Sequence, residues 1–305
     1  MTGFTFDDIP QQAGVTALVT GANTGIGYHI ADELARRGAR VLLACRSEDK
    51  ARDAMAKIAA HTPAADLAFV ACDLADLSSV EAAAQTVGKE RKLDLLIANA
   101  GVMMPPLGHA TAGTELQFAV NHLGHFALIG HLLDKLAQDG GGRVVIQSSI
   151  AHKRGRIDFD NLDAAKGYDR QRFYAQSKLA DLLMALEFDR RLRAAKSPVT
   201  AIGCHPGVAQ SDLMRHLGPA TLLGPLMGVV LNSARQGALP ALQAATDPRV
   251  TSGSYLGPYG FMEVRGNSSG RAFATDTAQD PLLAARLWET SIEMTGVDPG
   301  LAPAD

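Results

Sequence analysis

Short apolar runs alternate with amphipathic stretches along most of the chain. Val15 to Thr20 is a compact apolar run ending at a glycine, and Ile26, Ile30 and Leu34 follow at helical spacing before Gly38 stops the helix. The same rhythm recurs. Apolar runs predict strands at Arg40 to Cys45, Leu67 to Cys72, Leu93 to Ala98, Arg143 to Gln147 and Val199 to Cys204. Helical patterns fall between them at Glu48 to Ala60, Ser78 to Arg91 with Ser78 as cap, Thr114 to Gln138, and Phe173 to Ala195. Strands and helices alternating this regularly imply right-handed crossovers and a parallel sheet covered on both faces, a three-layer, doubly wound α/β fold of the Rossmann type. Two stretches break the rhythm, Ile150 to Arg172 and Val208 to about Ser233, and are expected to be insertions near strand ends. There they would form walls of a ligand site, because open α/β sheets bind ligands beyond the carboxyl ends of their strands. Ser254 to Leu256 is expected to be a last strand, and Asp280-Pro281 opens a final helix that Gly296 stops. With no internal repeat and no linker, residues 1–305 are expected to form one domain, with 1–13 as an extension.

Composition narrows the class. The chain of 305 residues is 47% hydrophobic and 20% charged, which supplies ample core, and its formal net charge of -3 gives no electrostatic reason to expect nucleic acid. Met1 to Gln12 lacks the basic and apolar blocks of a secretory signal. The most apolar segment, Leu222 to Leu231, is interrupted by Gly224, Pro225 and Gly228 and is far shorter than the roughly 20 residues of a membrane helix. Three cysteines, Cys45, Cys72 and Cys204, each end a predicted strand, which points to reduced core thiols and a cytoplasmic setting.

Four groups carry candidate chemistry. Gly21, Asn23, Thr24, Gly25, Ile26 and Gly27 lie between the first strand and the first helix, where glycines permit a tight turn and close approach of a pyrophosphate to the helix N-terminus. Tyr174 and Lys178, four residues apart on a helix, project to one face, so phenol and ammonium can meet. An unperturbed tyrosine titrates near 10, so it needs a neighbouring positive charge to work as a base at neutral pH. Ser148-Ser149 follows a strand, and Asn121 lies inside a helical pattern. Singly, each has a plainer reading: surface residues for the pair, a helix cap for Ser149, a kink site for Asn121. His122 and His125 form an HxxH pair without a further clustered ligand, so no metal is expected; they are read as helix-packing or substrate-side residues. Met103 and Met104 read as wall or core.

Together these motifs resemble the short-chain dehydrogenase/reductase family. The glycine spacing is the family's Thr-Gly-x-x-x-Gly-Ile-Gly rather than Gly-x-Gly-x-x-Gly, and it departs from the Gly-x-x-Gly-x-x-Gly of the nucleotide-sugar epimerases, which share Tyr-x-x-x-Lys. Asn121-His-Leu-Gly-His-Phe126, the insertion before Tyr174, and Leu287 to Gly296 look most like its retinol dehydrogenase and protochlorophyllide reductase-like branch. The resemblance covers roughly residues 14 to 296. It implies an oxidoreductase that interconverts an alcohol and a carbonyl by hydride transfer, with Tyr174 as acid/base, Lys178 as its electrostatic support, Ser149 rather than Ser148 holding the substrate oxygen, and Asn121 ordering a water beside the lysine. It also implies that Asp73 and Leu74 contact the adenine, Asn99, Ala100 and Gly101 support the nucleotide, and Pro206, Gly207, Val208 and Ser211 meet the nicotinamide end. Arg46 stands at the end of the second strand, where no acid is present to select NAD, so NADP(H) is preferred over NAD(H). Residues 208–233, with Leu213, Met214, Leu217, Leu222, Leu223, Leu226 and Met227, resemble the family's mobile lid, which implies a largely apolar carbonyl or alcohol substrate; a subunit interface or core is the rival reading. Family members are often homo-oligomers. Alternatives of other kinds are reduction of a C=C bond, as in protochlorophyllide reductase, and a non-catalytic NADP(H)-binding redox sensor, which would be expected to have lost a member of the Asn-Ser-Tyr-Lys set; none is missing.

Overall fold

The computed structural model describes residues 3–110, 113–208 and 232–303. In chain order its first half contains β1 (Thr16–Thr20), α1 (Gly25–Arg36), β2 (Arg40–Cys45), α2 (Glu48–His61), β3 (Asp66–Ala71), α3 (Leu77–Gly88) and β4 (Leu95–Ala98). The second half contains α4 (Leu116–Phe118), α5 (Gly124–Leu136), β5 (Arg143–Gln147), α6 (Arg170–Ala194), β6 (Thr200–Cys204), α7 (Ala234–Thr246), β7 (Tyr255–Pro258), β8 (Ser269–Arg271), α8 (Asp276–Gln279) and α9 (Pro281–Thr295). The strands form one sheet in the order 3-2-1-4-5-6-7-8, parallel throughout except for the antiparallel pair β7/β8. The order reverses between β1 and β4, the position at which a doubly wound sheet opens a crevice.

Both faces of the sheet are buried, which is why its strands read as continuous apolar runs. Ala17 and Val19 of β1 and Val41 and Leu43 of β2 pack with Ile30 and Leu34 of α1, Ile58 of α2 and Leu239 of α7. Their alternates Leu18 and Leu42 pack on the opposite side with Val80 of α3, Leu128 of α5 and Phe188 of α6. The expected three-layer, doubly wound architecture is therefore the one observed, and the three cysteines are buried free thiols.

Several local expectations are corrected. The long pattern from Thr114 to Gln138 is not one regular helix: after α4, residues Ala119–Leu123 form a π-helical turn, in which the Gly124 N–H reaches back to the Ala119 carbonyl. Gly124 is required there, since a Cβ would stand 2.4 Å from the Leu74 carbonyl oxygen. Helix α3 is capped by Asp76, whose side chain accepts from the Ser78 N–H, rather than by Ser78 itself. Helices α7 and α8 and strand β8 carry no expectation from the sequence. Helix α7 contains Pro240 and is buried nearly all round from Gly237 onward, so it has no amphipathic stripe; β8 is a three-residue edge strand. The final helix agrees: Asp280 caps it, Pro281 opens it and Gly296 closes it at φ 68°. No helix of the described residues is long and apolar enough to cross a membrane. The expected lid lies, except for Val208, Asn232 and Ser233, outside the described residues.

Helix α9 locks the layer that carries the candidate chemistry. The Trp288 ring packs edge-on against Phe126 of α5 at 5.1 Å and Phe188 of α6 at 5.0 Å, and the buried Arg191 guanidinium lies 4.6 Å from its ring. Removing a fully buried indole leaves a cavity that rigid helices fill poorly. Trp288→Ala is expected to cost about 3–5 kcal/mol in urea unfolding followed by circular dichroism, and Trp288→Phe clearly less. A loss below about 1 kcal/mol for the alanine variant would show that α9 does not hold α5 and α6 together.

Candidate active site

The glycine turn is built by sterics. Gly21 has φ +65°, and a Cβ on Gly27 would stand 2.4 Å from both the Gly21 carbonyl oxygen and Asn99 Nδ2. Only a bare backbone lets the turn fold this closely onto the end of β4. Gly21, Asn23, Thr24, Gly25, Ile26 and Gly27 line a cleft of about 170 Å³ together with Asn99, Ala100, Gly101 and Gln147. Ile26, Asn99, Gly101 and Gln147 also line a second cavity of about 240 Å³, so the two spaces share a wall.

That wall is fastened in part by Thr20 and Gln147, side chains to which the sequence assigned no role. Thr20 Oγ1 accepts from the N–H groups of Asn99 and Ala100, both at 2.9 Å, while Asn99 Nδ2 donates to the Thr20 carbonyl at 2.8 Å. His125 Nδ1 must donate to the Asn121 carbonyl at 2.8 Å, which leaves Nε2 to accept from the Thr20 hydroxyl at 2.9 Å. Gln147 Nε2 donates to Asn99 Oδ1 at 2.9 Å, and its Oε1 has no partner among the described residues. A Thr or Gln at a strand end is too common a residue to be read as a signal.

The larger cavity gathers the candidate chemistry. Ser149, Tyr174 and Lys178 line it, with Pro206, Gly207 and Val208 on one side and Val102, Met103, Met104, Ile150 and Ala151 as apolar wall. Helix α6 carries Tyr174 and Lys178 to the end of β5, where Lys178 Nζ donates to the Gln147 carbonyl at 2.9 Å and to Asp181 Oδ2 at 2.8 Å. Burial pushes the Lys178 ammonium toward neutrality, but the Asp181 carboxylate and Tyr174 outweigh it and hold the group above its ordinary range. Ser148 is committed elsewhere, donating to the Lys178 carbonyl at 2.6 Å. Ser149 is indeed a cap, accepting from the Ala151 N–H at 3.2 Å, yet that bond leaves its own O–H proton free to donate.

Asn121 lines neither cavity. In the π turn its Oδ1 accepts from the Val102 N–H at 2.7 Å, and its Nδ2 donates to the Val102 carbonyl at 3.0 Å and to Ser177 Oγ at 2.9 Å. It therefore clamps the strand-end loop to α6, with Gly101 between it and Lys178: a Cβ there would meet Asn121 Oδ1 at 3.1 Å and Lys178 Nζ at 3.7 Å. Of the two readings of His122 and His125, helix packing holds and the substrate side does not. Both rings are 1% exposed and packed inside, His122 Nε2 against Ser291 Oγ at 2.9 Å, and burial lowers them to about 3 and about 4. Among the described residues no group of three potential metal ligands occurs.

The insertion after β5 supplies wall, as expected, through Ile150, Ala151 and Arg154. Met104 sits at φ 52°, an uncommon backbone state for a non-glycine residue, with its N–H held by Gln117 Oε1 at 2.8 Å. Gly207, at φ +71°, is backed by the Val264 carbonyl, which also accepts from the Val208 N–H at 2.9 Å. Glu263 braces that backing segment through Lys153 Nζ at 3.1 Å. Arg46 is exposed just beyond β2, and among the described residues no carboxylate pairs with it. Asp73 and Leu74 follow β3 in the loop before α3 and line neither cavity, and Ser211 lies outside the described residues.

Known proteins are similar to this chain in sequence and fold. The family model described as short chain dehydrogenase matches residues 15–221. Retinol dehydrogenase 13 of Homo sapiens is 39% identical over 295 residues, covering 93% of this chain and 86% of that protein. Among solved structures, an uncharacterised protein from Mycobacterium paratuberculosis is 36% identical with a TM-score of 0.81, covering 98% of this chain and 100% of that one. The Pseudomonas aeruginosa protein RhlG, solved as an active-site complex with NADP, is 25% identical with a TM-score of 0.61 over 80% of this chain and 94% of that one. A family match across more than half of the chain, and a relative of this identity over nearly its whole length, establish that the chain belongs to the short-chain dehydrogenase/reductase family, in its retinol dehydrogenase branch, as an oxidoreductase of alcohol/carbonyl pairs.

Proposed function

We propose that this enzyme interconverts a largely apolar alcohol and its carbonyl compound with NADP(H), using Tyr174 as acid/base. One observation carries the reading: Ser149, Tyr174 and Lys178 line a cavity that shares the wall Ile26, Asn99, Gly101 and Gln147 with the cleft of the glycine turn. A reacting carbon and a dinucleotide can then meet across that wall, which is the proximity hydride transfer needs.

The residues present fit a dinucleotide. Gly21 and Gly27 leave open backbone where any Cβ would collide, and Gln147 Oε1 is a buried acceptor without a partner in the shared wall. In this reading the glycine turn holds the pyrophosphate, Asn99, Ala100 and Gly101 flank the ribose, and Pro206, Gly207 and Val208 edge the nicotinamide, with Ser211 and the adenine contacts of Asp73 and Leu74 as further proposals. When bound, the nicotinamide supplies or accepts the hydride.

The chain's own groups handle the proton. Ser149 donates its O–H to the substrate oxygen, fixing it beside the Tyr174 hydroxyl. Tyr174 passes a proton to that oxygen as a carbonyl is reduced, or removes it as an alcohol is oxidised, and the Lys178 ammonium stabilises the phenolate form. Water is kept out by Val102, Met103, Met104, Ile150 and Ala151, an apolar wall that suits an aliphatic or aromatic substrate better than a sugar. Arg154 and Gln171 add polar groups to the lining, beside Asn99, Gln147, Ser148, Ser149, Tyr174 and Lys178.

Tyr174→Phe keeps the ring and removes the proton; kcat is expected to fall by about 10²–10⁴ with nucleotide binding preserved, and retention of most of the wild-type rate would sink the assignment. Arg46 is exposed just beyond β2, and among the described residues no carboxylate pairs with it. Arg46→Ala is expected to lose on the order of 1.5–3 kcal/mol in NADPH binding and little in NADH binding, by calorimetry at fixed ionic strength. Equal losses for the two nucleotides would show that Arg46 does not read the 2'-phosphate. The substrate class is checked by NADPH oxidation against carbonyl compounds graded in size and polarity, where small polar carbonyls giving the highest kcat/KM would exclude the apolar reading.

A further inference from the structure

Asp181 is a carboxylate with almost no access to solvent: its side chain is 2% exposed, and it lines neither cavity. It lies three residues after Lys178 on α6, and Oδ2 accepts from Lys178 Nζ at 2.8 Å. Its Oδ1 has no hydrogen bond among the described residues and faces His122 Nδ1 at 3.9 Å. The protonation of that ring follows from its other side. Ser291 Oγ donates its single proton to the Leu287 carbonyl at 2.7 Å, so at 2.9 Å it must accept from His122 Nε2. Nδ1 is then a bare acceptor opposite a carboxylate oxygen and stabilises nothing there.

The other titratable groups around the pair are uncharged near neutral pH. Burial lowers His122 to about 3 and His125 to about 4, raises the Cys204 thiol of β6 to about 12, and raises Tyr255 of β7 well above its usual value. Burial also raises the Asp181 carboxyl to about 6, against the pull of the Lys178 ammonium, so at neutral pH the pair is ionised. Among the described residues Asp181 is then the one fixed anion in contact with Lys178. A buried ion pair rarely improves stability over apolar residues of the same size, because desolvation cancels the attraction. Its consequence is local: the buried amine stays charged.

We propose that Asp181 is a positioning residue of the active site, which holds Lys178 as an ammonium ion drawn toward the Gln147 carbonyl and so maintains the charge beside Tyr174. The role of that charge rests on the reading of Tyr174 and Lys178 given above, whereas the ion-pair assignment does not. Asp181 acts only through Lys178, touching neither substrate nor cofactor.

The test uses the full chain with 13C-labelled lysine, the Lys178 signal being the one missing from Lys178→Met. Asp181→Asn is nearly isosteric and still offers an oxygen to Nζ, but carries no charge. Its Lys178 titration midpoint is expected to fall by about one unit or more relative to wild type, and the high-pH limb of the kcat profile to move down with it. An unchanged midpoint, with or without a lower melting temperature, overturns the proposal. A shifted midpoint with an unmoved kcat profile upholds the ion pair and instead overturns the reading of Lys178 as the charge that serves Tyr174. Should Asp181→Asn not fold, Asp181→Glu restores the anion and is expected to leave the midpoint within about half a unit of wild type; a fall as large as that expected for the amide would overturn the assignment.

Discussion

A buried ammonium group organises this molecule. Lys178 is 5% exposed, and a charge in that position must be met by fixed partners, since no water shell does it. The partners come from two elements: the main-chain carbonyl of Gln147 at the end of β5, and Asp181 one turn further along α6. Ser148 adds a tie in the other direction, from the strand end to the Lys178 carbonyl. These bonds set the height of α6 against β5. Tyr174, one turn earlier on the same helix, is brought to the cavity as a result.

The second constraint is topological. A parallel sheet wound outward in both directions from β1 and β4 leaves a crevice between them that no crossover covers. Thr20 and Asn99 close the floor of that crevice, and His125 connects the floor to the π turn that carries Asn121. The hydrogen bonds therefore run from the glycine turn through β4 to the helix that clamps Val102. Because Asn99 and Gln147 belong to both the glycine-turn cleft and the larger cavity, the distance between the two spaces is fixed chiefly by the Asn99 side chain, which bonds Thr20 at one end and Gln147 at the other.

Much of this was legible in the sequence, for identifiable reasons. The glycine turn is contiguous, and the sterics that demand Gly21 and Gly27 act within a few residues. Tyr174 and Lys178 obey helical spacing, and the apolar runs and their helices follow from burial on both faces of the sheet. What was not legible depends on contacts distant in sequence or on the phase of a helix. Asp181 and Gln147 are unremarkable residue types whose importance appears only when β5 and α6 are side by side. The π turn inserts one residue into a helix without changing its apolar content, so hydropathy passes over it. Helix α7 is apolar nearly all round and contains Pro240, which removes both the periodicity and the propensity that would announce it. His122 and His125 could be read as helix packing or as substrate-side residues, and the first holds; the two stayed open because a histidine on an apolar helix is indistinguishable in sequence from one in a site.

The two cations given roles here act in opposite dielectric settings. Lys178 is enclosed, so its field on the Tyr174 phenol is weakly screened and its strength depends on which neighbours are charged, above all Asp181. Arg46 is exposed, and an exposed guanidinium is screened by salt over about 8 Å at physiological ionic strength. In the proposed reading it acts through direct, charge-assisted contact rather than through a long-range field. Nucleotide preference, in the proposed reading, therefore resides in a surface contact that leaves the buried network untouched. The electrostatic support of Tyr174, in the same reading, resides in a buried ion pair whose members each set the charge state of the other.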